Sequence, residues 1–410
     1  MTAQTQSILD PQVRRCPYPF YEGLRRERPI TYMPELSAYF VSSYELVRQV
    51  IIDPRFHKGS EDGRKYVEPN NAAKQVLLQD DLGLPLQCLS QSSGARQVAY
   101  KKIVEPFLGR NGAREIEPYV QSCATELLDG IERSGTCELV EEFSTPFTVW
   151  IICELIGFPR SMYQAVRAYA HAALTYVAYM VSEAEAVAGA HTMVEMHHTV
   201  LDMVRDRRRN PKHDILTALG TATVEGRPLT DREIVSILEE VVVGGHETTS
   251  NAINAAILHL SQNPALQGTL RDNPDKLPLF IEEVLRLLSP IQATHRLALE
   301  DLEVGGVKIA RGSKVYLATA SANRDDAKFA CPNEFDIERP NVQKHMTFGG
   351  GQHFCIGAHL TRVEQRVAYR EWLKRFSSIE LTQPLDSIRY HATFATRAPV
   401  ALNFRVGPAG

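Results

Sequence analysis

One cysteine of this chain stands in a glycine-rich loop directly ahead of a helical pattern. Residues 348–360 read FGGGQHFCIGAHL, so Cys355 follows three consecutive glycines and precedes a helix that continues to about Phe376. Glycines allow backbone N–H groups to point inward, and the start of a helix adds partial positive charge. Both features favour a thiolate, which would be a nucleophile or a metal ligand; for a lone cysteine the alternative is a structural role.

Two other glycine-rich motifs do not fit this loop. A GxGxxG dinucleotide fingerprint that starts at Gly349 would need a glycine where Phe354 stands. A phosphatase-like loop would need an arginine within a few residues of the cysteine to hold a phosphate, and none follows there.

An acid and an alcohol lie side by side in a second pattern, VVVGGHETTSN. At the centre of a buried helix, Glu247 and Thr248 can relay protons inward. The Thr248 hydroxyl, four residues after Gly244, is placed to bond the Gly244 carbonyl and loosen the local helix, which leaves room for water or a diatomic ligand. Zinc binding through HExxH is excluded, because Ser250 stands at the position of the second histidine.

The helix that carries this pair is long. A capping box of Thr230 and Glu233 predicts its start, and Asn263-Pro264 predicts its end. It therefore covers 231–262 and spans roughly 48 Å, which should take it through the core.

Two glycines interrupt the middle of this helix. Gly244 and Gly245 each cost about 1 kcal/mol relative to alanine in a helix interior. Either another helix packs closely at these glycines, or a flat ligand lies on the helix where no β-carbon intrudes.

The elements that must position these residues are mostly helical. Apolar residues recur at helical spacing over most of the chain, whereas strand-like stretches are short and late. The helical stretches are 113–134, 142–156, 161–208, 231–262, 276–288 and 358–376, and the strand-like ones are 303–319 and 378–404. Breaks with proline or glycine are only a few residues long. The sequence predicts a mainly α fold, a large helical body with a small β-rich portion, as one domain over 1–410.

Composition excludes several classes of protein. With 44% hydrophobic and 23% charged residues, the chain is globular. A net charge of −4 argues against a nucleic-acid partner. The opening MTAQTQSILD lacks a secretion signal and no apolar run could cross a bilayer, so we expect a cytoplasmic protein with no membrane attachment. Seven cysteines without a CxxC pair are unlike a disulfide framework or a zinc site.

The cysteine loop and the long helix together carry a family resemblance. The spacing Phe348-x-x-Gly351-x-His353-x-Cys355-x-Gly357 resembles the haem-binding loop of the cytochrome P-450 superfamily, in its soluble bacterial class. GGHETT resembles the oxygen-activating helix of that family.

Further motifs extend the resemblance over nearly the whole chain. Glu283 and Arg286 in EEVLR resemble the ExxR pair of the family, and Arg339 in FDIERP resembles the third member of its Glu-Arg-Arg cluster. Alone, ExxR is only an i,i+3 helix pair, but its position between the other two motifs makes it informative.

The resemblance implies a cofactor, haem b (iron protoporphyrin IX), between the long central helix and the helix of the cysteine loop. Cys355 would be the axial iron ligand, with Phe348 against its sulfur and loop N–H groups tempering its charge. In the family, the positions of His353 and Arg296 pair the two haem propionates.

One segment departs from the family pattern. Where relatives often read PPEH-x-x-x-R, this chain reads QSSGARQVAY, and by spacing Arg96 and Tyr100 fall at the His and Arg positions. Either side chain can donate a hydrogen bond to a propionate. The predicted haem-binding residues are Cys355, His353, Arg296, Phe348, Gly349, Gly351, Gly357, Gly244, Arg96 and Tyr100.

Glu247 and Thr248 match the acid–alcohol pair with which the family delivers protons during dioxygen activation. The resemblance implies a monooxygenase that takes O2 as co-substrate and electrons from NAD(P)H through partner proteins. Only 55 residues follow Cys355, too few for a fused redox domain, so ferredoxin and ferredoxin reductase are the expected partners. Basic residues expected to dock the ferredoxin, with Arg362 the best match, are Lys101, Lys102, Lys344, Arg362 and Arg366.

The substrate is expected to be a small to medium hydrophobic molecule, because the residues that line the family's pocket are largely apolar here. They are Leu82 to Leu89, Thr175 to Val181, Val243 to Glu247, Ile291 to Thr294 and Phe394. The alternatives are a haem-thiolate protein that only binds a ligand, or one that processes a peroxide or nitric oxide. The intact acid–alcohol pair argues against both.

Overall fold

The computed structural model describes residues 7–59, 71–176 and 181–408. Helices dominate it, as the apolar spacing predicts. The helices are α1 (Pro11–Arg15), α2 (Tyr18–Glu27), α3 (Tyr44–Ile52), α4 (Asn71–Gln79), α5 (Gly94–Leu108), α6 (Arg110–Glu115), α7 (Glu117–Ser134), α8 (Thr145–Ile156), α9 (Tyr163–Tyr176), α10 (Glu183–Arg209), α11 (Ile215–Thr221), α12 (Asp231–Ser261), α13 (Pro264–Asp272), α14 (Leu277–Leu287), α15 (Thr319–Ala322) and α16 (Ala358–Arg375).

The strands are short and form small sheets. A five-stranded sheet has the order β1-β2-β10-β7-β3, a three-stranded sheet the order β11-β12-β4, and two hairpins pair β5 with β6 and β8 with β9. The strands are β1 (Ile30–Met33), β2 (Ala38–Val41), β3 (Phe56–His57), β4 (Thr136–Glu138), β5 (Thr223–Val224), β6 (Arg227–Pro228), β7 (Thr294–Ala298), β8 (Leu302–Val304), β9 (Val307–Ile309), β10 (Lys314–Leu317), β11 (Phe376–Leu381) and β12 (Asn403–Pro408). The prediction of a mainly α fold with a small β-rich portion is confirmed.

The chain divides into two compact units. Unit 1 comprises Met1–Phe56, Glu117–Phe147 and Thr248–Gly410, and unit 2 comprises His57–Ile116 and Thr148–Glu247. Helix α12 runs without a break from unit 2 into unit 1. That the whole chain is one domain stays a prediction.

In unit 1 a buried core joins helix α3 to the five-stranded sheet. Side chains such as Val47 of α3, Val41 of β2 and Val315 of β10 are fully buried in one cluster. The second half of α12 crosses α16 in the same unit, where the hydroxyls of Thr249 and Thr361 lie 3.2 Å apart. Helix α16 follows the cysteine loop directly in sequence.

In unit 2 helix α10 packs against α9, α4 and α11. The helical pattern over 161–208 is two helices, and residues 177–180 between them lie outside the described residues. The second helix starts at a capping box in which Ser182 and Glu185 bond each other's backbone amides. This capping box marks a new helix start within 161–208, a stretch that apolar spacing alone predicted as continuous.

The long helix follows its prediction closely. The Thr230 amide donates to Glu233 Oε2 over 2.8 Å, and the Glu233 amide donates to Thr230 Oγ1 over 3.2 Å, which is the predicted capping box. The strand-like stretch 378–404 is regular strand only at its two ends; between them, Tyr390 and Pro399 form an isolated bridge, as Thr396 does with Ile291.

No helix in residues 7–59, 71–176 or 181–408 has the length and apolar character needed to span a bilayer.

Candidate functional site

The cysteine loop is closed by its own backbone. The Cys355 amide donates to the Phe348 carbonyl over 3.0 Å, and the Phe354 amide donates to the Gly351 carbonyl over 3.1 Å. Cys355 therefore stands beside Phe348, three residues before helix α16. It is half-buried, whereas four other cysteines are buried, and none of the seven, all within the described residues, forms a disulfide. Burial raises the pKa of the Cys153 thiol to about 12, which makes it an unreactive core residue.

The glycines ahead of Cys355 are required by the loop itself. Gly349 and Gly351 have φ of +71° and +62°, the left-handed region that favours glycine. A β-carbon on Gly350 would lie 3.2 Å from Ile51 at the end of α3. The glycines thus serve the backbone of the loop, whatever ligand the sulfur takes.

An ion pair that the sequence analysis did not predict packs against the Phe348 ring. The Arg362 guanidinium lies 4.6 Å from the ring centre and bonds both oxygens of Glu282, over 2.6 and 3.0 Å. Burial raises the pKa of Glu282, but the bonds from His345 and Arg362 outweigh it and bring that pKa down to about 2.

The same ion pair bears on the expected docking role of Arg362. Its side chain is about one-third exposed and shares its charge with Glu282, and the docking role stays a prediction. Arg366 is likewise paired, with Glu117 at 2.7 Å.

The Glu-Arg-Arg cluster forms as predicted. Arg286 bonds both oxygens of Glu283, over 2.6 and 2.7 Å, and Arg339 Nε reaches the same carboxylate at 3.2 Å. Glu283 and Arg286 are completely buried. A buried pair of opposite charges with further hydrogen bonds is strongly destabilised if one partner is lost.

Asn323 connects this cluster to the cysteine loop. Arg286 donates to the Asn323 carbonyl over 2.8 Å. The Asn323 side chain accepts from the Met346 amide over 2.6 Å and donates to Thr347 Oγ1 over 2.9 Å. The cluster therefore fixes the start of the loop that presents Cys355.

Arg296 is a buried cation beside the same loop. It is 1% exposed, and among the described residues its hydrogen-bond acceptors are two backbone carbonyls, His295 O at 2.8 Å and Ile51 O at 3.5 Å. Its Nε has no acceptor in the described part of the chain. Burial lowers its pKa to about 10, so it stays charged at neutral pH and needs an anion.

The two glycines of α12 have different surroundings. A β-carbon on Gly245 would lie 2.6 Å from Ile152 Cδ1, so this glycine allows close packing against α8. A β-carbon on Gly244 would meet no described atom within 4 Å. Close packing of helices therefore explains Gly245. Gly244 instead leaves one side of the helix open, as a flat ligand would require.

Two titratable groups follow on α12. Burial raises the pKa of Glu247 to about 7, which suits an acid that exchanges protons at neutral pH. Burial lowers the pKa of His246 to about 4, and its ring bonds the Val242 carbonyl at 3.2 Å, so it is a neutral packing residue. Thr248 is the next residue of the helix after Glu247.

A further buried acid lies on α16. Glu364 is 1% exposed, and burial raises the pKa of its carboxyl well above the ordinary value. Sequence reasoning missed it, because its place in an amphipathic pattern gives no sign of burial.

Arg96 and Tyr100 have carboxylate partners in unit 2. Arg96 is exposed and pairs with Glu225 at 2.7 Å, and the buried Tyr100 hydroxyl donates to Glu233 over 2.6 Å. These contacts occupy both side chains and do not support the prediction that they bind propionates. The spacing argument failed to anticipate them because the acids lie more than a hundred residues away.

The structure describes most, but not all, of the residues expected to line the substrate pocket. Ile291–Thr294 lie beside Phe394, because the Gln292 amide donates to the Ala395 carbonyl over 2.8 Å. Of the stretch Thr175 to Val181, residues 177–180 lie outside the described residues. Leu82–Leu89 and Val243–Glu247 both belong to unit 2.

The residues present in unit 1 fit a haem group. They supply one half-buried sulfur in a rigid loop and one buried guanidinium without an acid, the chemistry that an iron ligand and a propionate partner require. His353 stands in the same loop, at the end of a short 3₁₀ turn, Gly351–His353.

Comparisons with known proteins agree with this set of residues. A family model described as Cytochrome P450 matches residues 183–401. Cytochrome P450 109 of Bacillus spizizenii is 31% identical over 401 residues, 96% of this chain and 93% of the relative. Nocardicin C N-oxygenase of Nocardia uniformis subsp. tsuyamanensis is 32% identical over 94% of both chains.

A solved structure extends the agreement to three dimensions. P450BioI, in complex with an acyl carrier protein ligated with hexadec-9Z-enoic acid, matches with a TM-score of 0.85 and 28% identity, over 97% of this chain and 99% of that chain. The sequence match, the fold and the site agree. The chain therefore belongs to the cytochrome P450 family, as a monooxygenase that uses haem and dioxygen.

Proposed function

We propose that the protein inserts one oxygen atom into a small to medium hydrophobic molecule, with electrons from a separate ferredoxin and its NAD(P)H-dependent reductase. The observation that carries the proposal is the acid–alcohol pair of Glu247 and Thr248 on α12, both half-buried, next to the open position at Gly244; desolvation raises the pKa of Glu247 to about 7. A peroxide-using or ligand-binding relative has no need of such a proton source.

Haem b, when bound, supplies the iron centre at which dioxygen is reduced and activated. Cys355 would hold that iron as a thiolate, and amides of the cysteine loop would temper its charge. Arg296 and His353 would bind the propionates; for Arg296 this would supply an acid to a buried cation that bonds only backbone carbonyls among the described residues. Gly244 leaves the adjoining side of α12 open.

Glu247 and Thr248 move protons. A pKa of about 7 suits the Glu247 carboxyl to take up a proton and pass it on near neutral pH. The Thr248 hydroxyl accepts a proton from one side and donates one on the other, which suits it to the last position of the relay.

The ferredoxin is proposed to dock through lysines that remain exposed. Lys102 and Lys344 are exposed, whereas Arg362 and Arg366 are engaged by Glu282 and Glu117. Lysines at the rim of an interface raise the association rate with an acidic partner more than the final affinity. We also propose a cytoplasmic location, where such redox partners are found.

Reconstitution tests the proposal. The purified protein is given a panel of terpenoids, aromatic acids, alkanes and steroids, and each compound that shifts the haem spin state is then tested for turnover. An acyl chain on a carrier protein is included, because P450BioI was crystallised with such a partner. We expect product only when ferredoxin, reductase and NAD(P)H are all present. Product formation from peroxide alone at an equal rate would contradict the proposal, and so would binding without any turnover.

A further inference from the structure

The loop between α4 and α5 is fastened to α12 by polar side chains one helical turn apart. Residues 84–88 form neither helix nor strand, yet their main chain is bonded at nearly every second residue. Arg232 Nε donates to the Leu84 carbonyl over 2.6 Å, and Ser236 Oγ accepts from the Leu86 amide over 2.9 Å. Arg232 and Ser236 are four residues apart and lie on adjacent turns of the helix.

Glu240 continues this series one turn later and accepts two bonds from the loop. Its Oε1 accepts from the Cys88 amide over 3.3 Å, and its Oε2 accepts from the Ser90 amide. Hydrogen bonds to a charged acceptor are roughly twice as strong as neutral ones. The turn that follows is closed by the Ser92 amide, which donates to the Cys88 carbonyl over 2.9 Å.

Helix α5, which follows the loop, is fixed to the same part of the molecule. Tyr100 bonds Glu233 of α12, and Arg227 holds that carboxylate through two bonds of 2.7 and 2.9 Å. The loop is therefore anchored along α12 at one end and through α5 at the other, all within unit 2.

The anchored loop lies where it can shape a bound molecule. Glu240 is one turn before Gly244, the position at which α12 is open, and the loop carries Leu82 to Leu89 of the proposed pocket. Cys88 and Leu89 are buried, so the segment that Glu240 holds has a fixed packing position.

We propose that Glu240, supported by Ser236 and Arg232, is a positioning residue that determines specificity: it holds loop 84–90 as a preformed wall of the substrate pocket. This inference rests on the proposed function, because the pocket is the one in which the substrate is oxidised. A loop that is closed in only a fraction of molecules lowers apparent affinity by that fraction. If loss of Glu240 leaves the loop in place in one molecule of ten, a ligand that touches it binds about tenfold more weakly.

The test uses the full-length protein with haem and two probes of different size. Imidazole binds haem iron as a bare ring, whereas phenylimidazole adds an aromatic ring that the proposed wall would contact. Dissociation constants are measured from the absorption spectra, and hydrogen exchange is followed by mass spectrometry on peptides that cover residues 82–92. The variant is Glu240→Ala, and the matched control is Glu195→Ala, which removes an exposed carboxylate from α10 of the same unit.

In Glu240→Ala we expect faster exchange in residues 82–92, about tenfold weaker phenylimidazole binding and unchanged imidazole binding. Glu195→Ala should match the wild type in all three measurements. Unchanged exchange in Glu240→Ala overturns the inference, as does equal weakening of both ligands, which would indicate general damage to the site.

Two milder variants keep the inference testable if Glu240→Ala does not fold. Glu240→Gln retains one acceptor oxygen, and Ser236→Ala releases only the Leu86 amide. Both should show a smaller effect in the same direction, and wild-type behaviour in both overturns the inference. Failure of the proposed function is a different result: a wild-type protein that takes up no haem would remove it, while the exchange experiment would still report on the anchor.

Discussion

Cys355 and Phe348 are joined across their loop by a backbone hydrogen bond of 3.0 Å, from the cysteine amide to the phenylalanine carbonyl. The bond brings the backbone of Phe348 next to that of Cys355 across the loop. Arg362 lies against the same ring and is itself fixed by Glu282. The position of the sulfur is thus set by the fold before any ligand binds to it.

Removal of the Arg296 charge should separate haem retention from protein stability. In Arg296→Met we expect the haem-free protein to be at least as stable as wild type in urea, because a buried cation without an acid is removed. Haem should dissociate faster to an acceptor protein, because one propionate loses its partner. Arg405→Met, an exposed arginine of β12, is the control and should change neither. Wild-type haem retention in Arg296→Met would contradict the assignment.

The buried Glu-Arg-Arg cluster should dominate the electrostatic part of stability. Glu283→Gln should lower the free energy of unfolding by about 3–5 kcal/mol, because it leaves buried arginines without their carboxylate. The exposed pair of Glu338 with Lys276 offers the matched control. Glu338→Gln should cost about 1 kcal/mol or less. Equal losses in the two variants, measured by urea unfolding, would be incompatible with the structure.

Coupled turnover should depend on pH through Glu247. Its folded pKa is raised by burial to about 7, so the carboxyl holds its proton below pH 7 and loses it above. We expect product per nicotinamide consumed to fall as the pH rises through this value. Glu247→Gln should lower the rate by about 10²-fold and abolish that inflection. A Gln variant with the wild-type pH profile would show that another group titrates.

Thr248→Ala should still consume nicotinamide but release more peroxide for each product formed, because the last proton of the relay is delivered less reliably. Ser261→Ala is a suitable control. It removes a hydroxyl from the same helix, thirteen residues and roughly 20 Å away. The ratio of peroxide to product decides the question, and an unchanged ratio in Thr248→Ala would place the relay elsewhere.

The sequence predicted those parts of the site that depend on local spacing. The cysteine loop, the capping box of α12 and the ExxR pair each lie within ten residues, so their geometry follows from glycine torsions and helix periodicity. The fold class followed from the same periodicity.

Contacts between distant segments could not be predicted from local spacing. Glu282 and Arg362 are 80 residues apart, and Glu240 and Cys88 are 152 apart. Such pairs depend on how whole helices pack. The sequence pattern around a polar helix residue is the same whether that residue faces solvent or a buried partner. The same limit explains why the acidic partners of Arg362, Arg96 and Tyr100 were not anticipated.

The central claim is that Cys355 binds haem iron as a thiolate. The most direct measurement is the absorption spectrum of the reduced carbon monoxide complex of Cys355→Ser beside that of Cys153→Ser, which removes a buried thiol from α8. We expect the long-wavelength Soret band of thiolate ligation in the wild type and in Cys153→Ser, and its loss in Cys355→Ser. Persistence of that band in Cys355→Ser would contradict the claim.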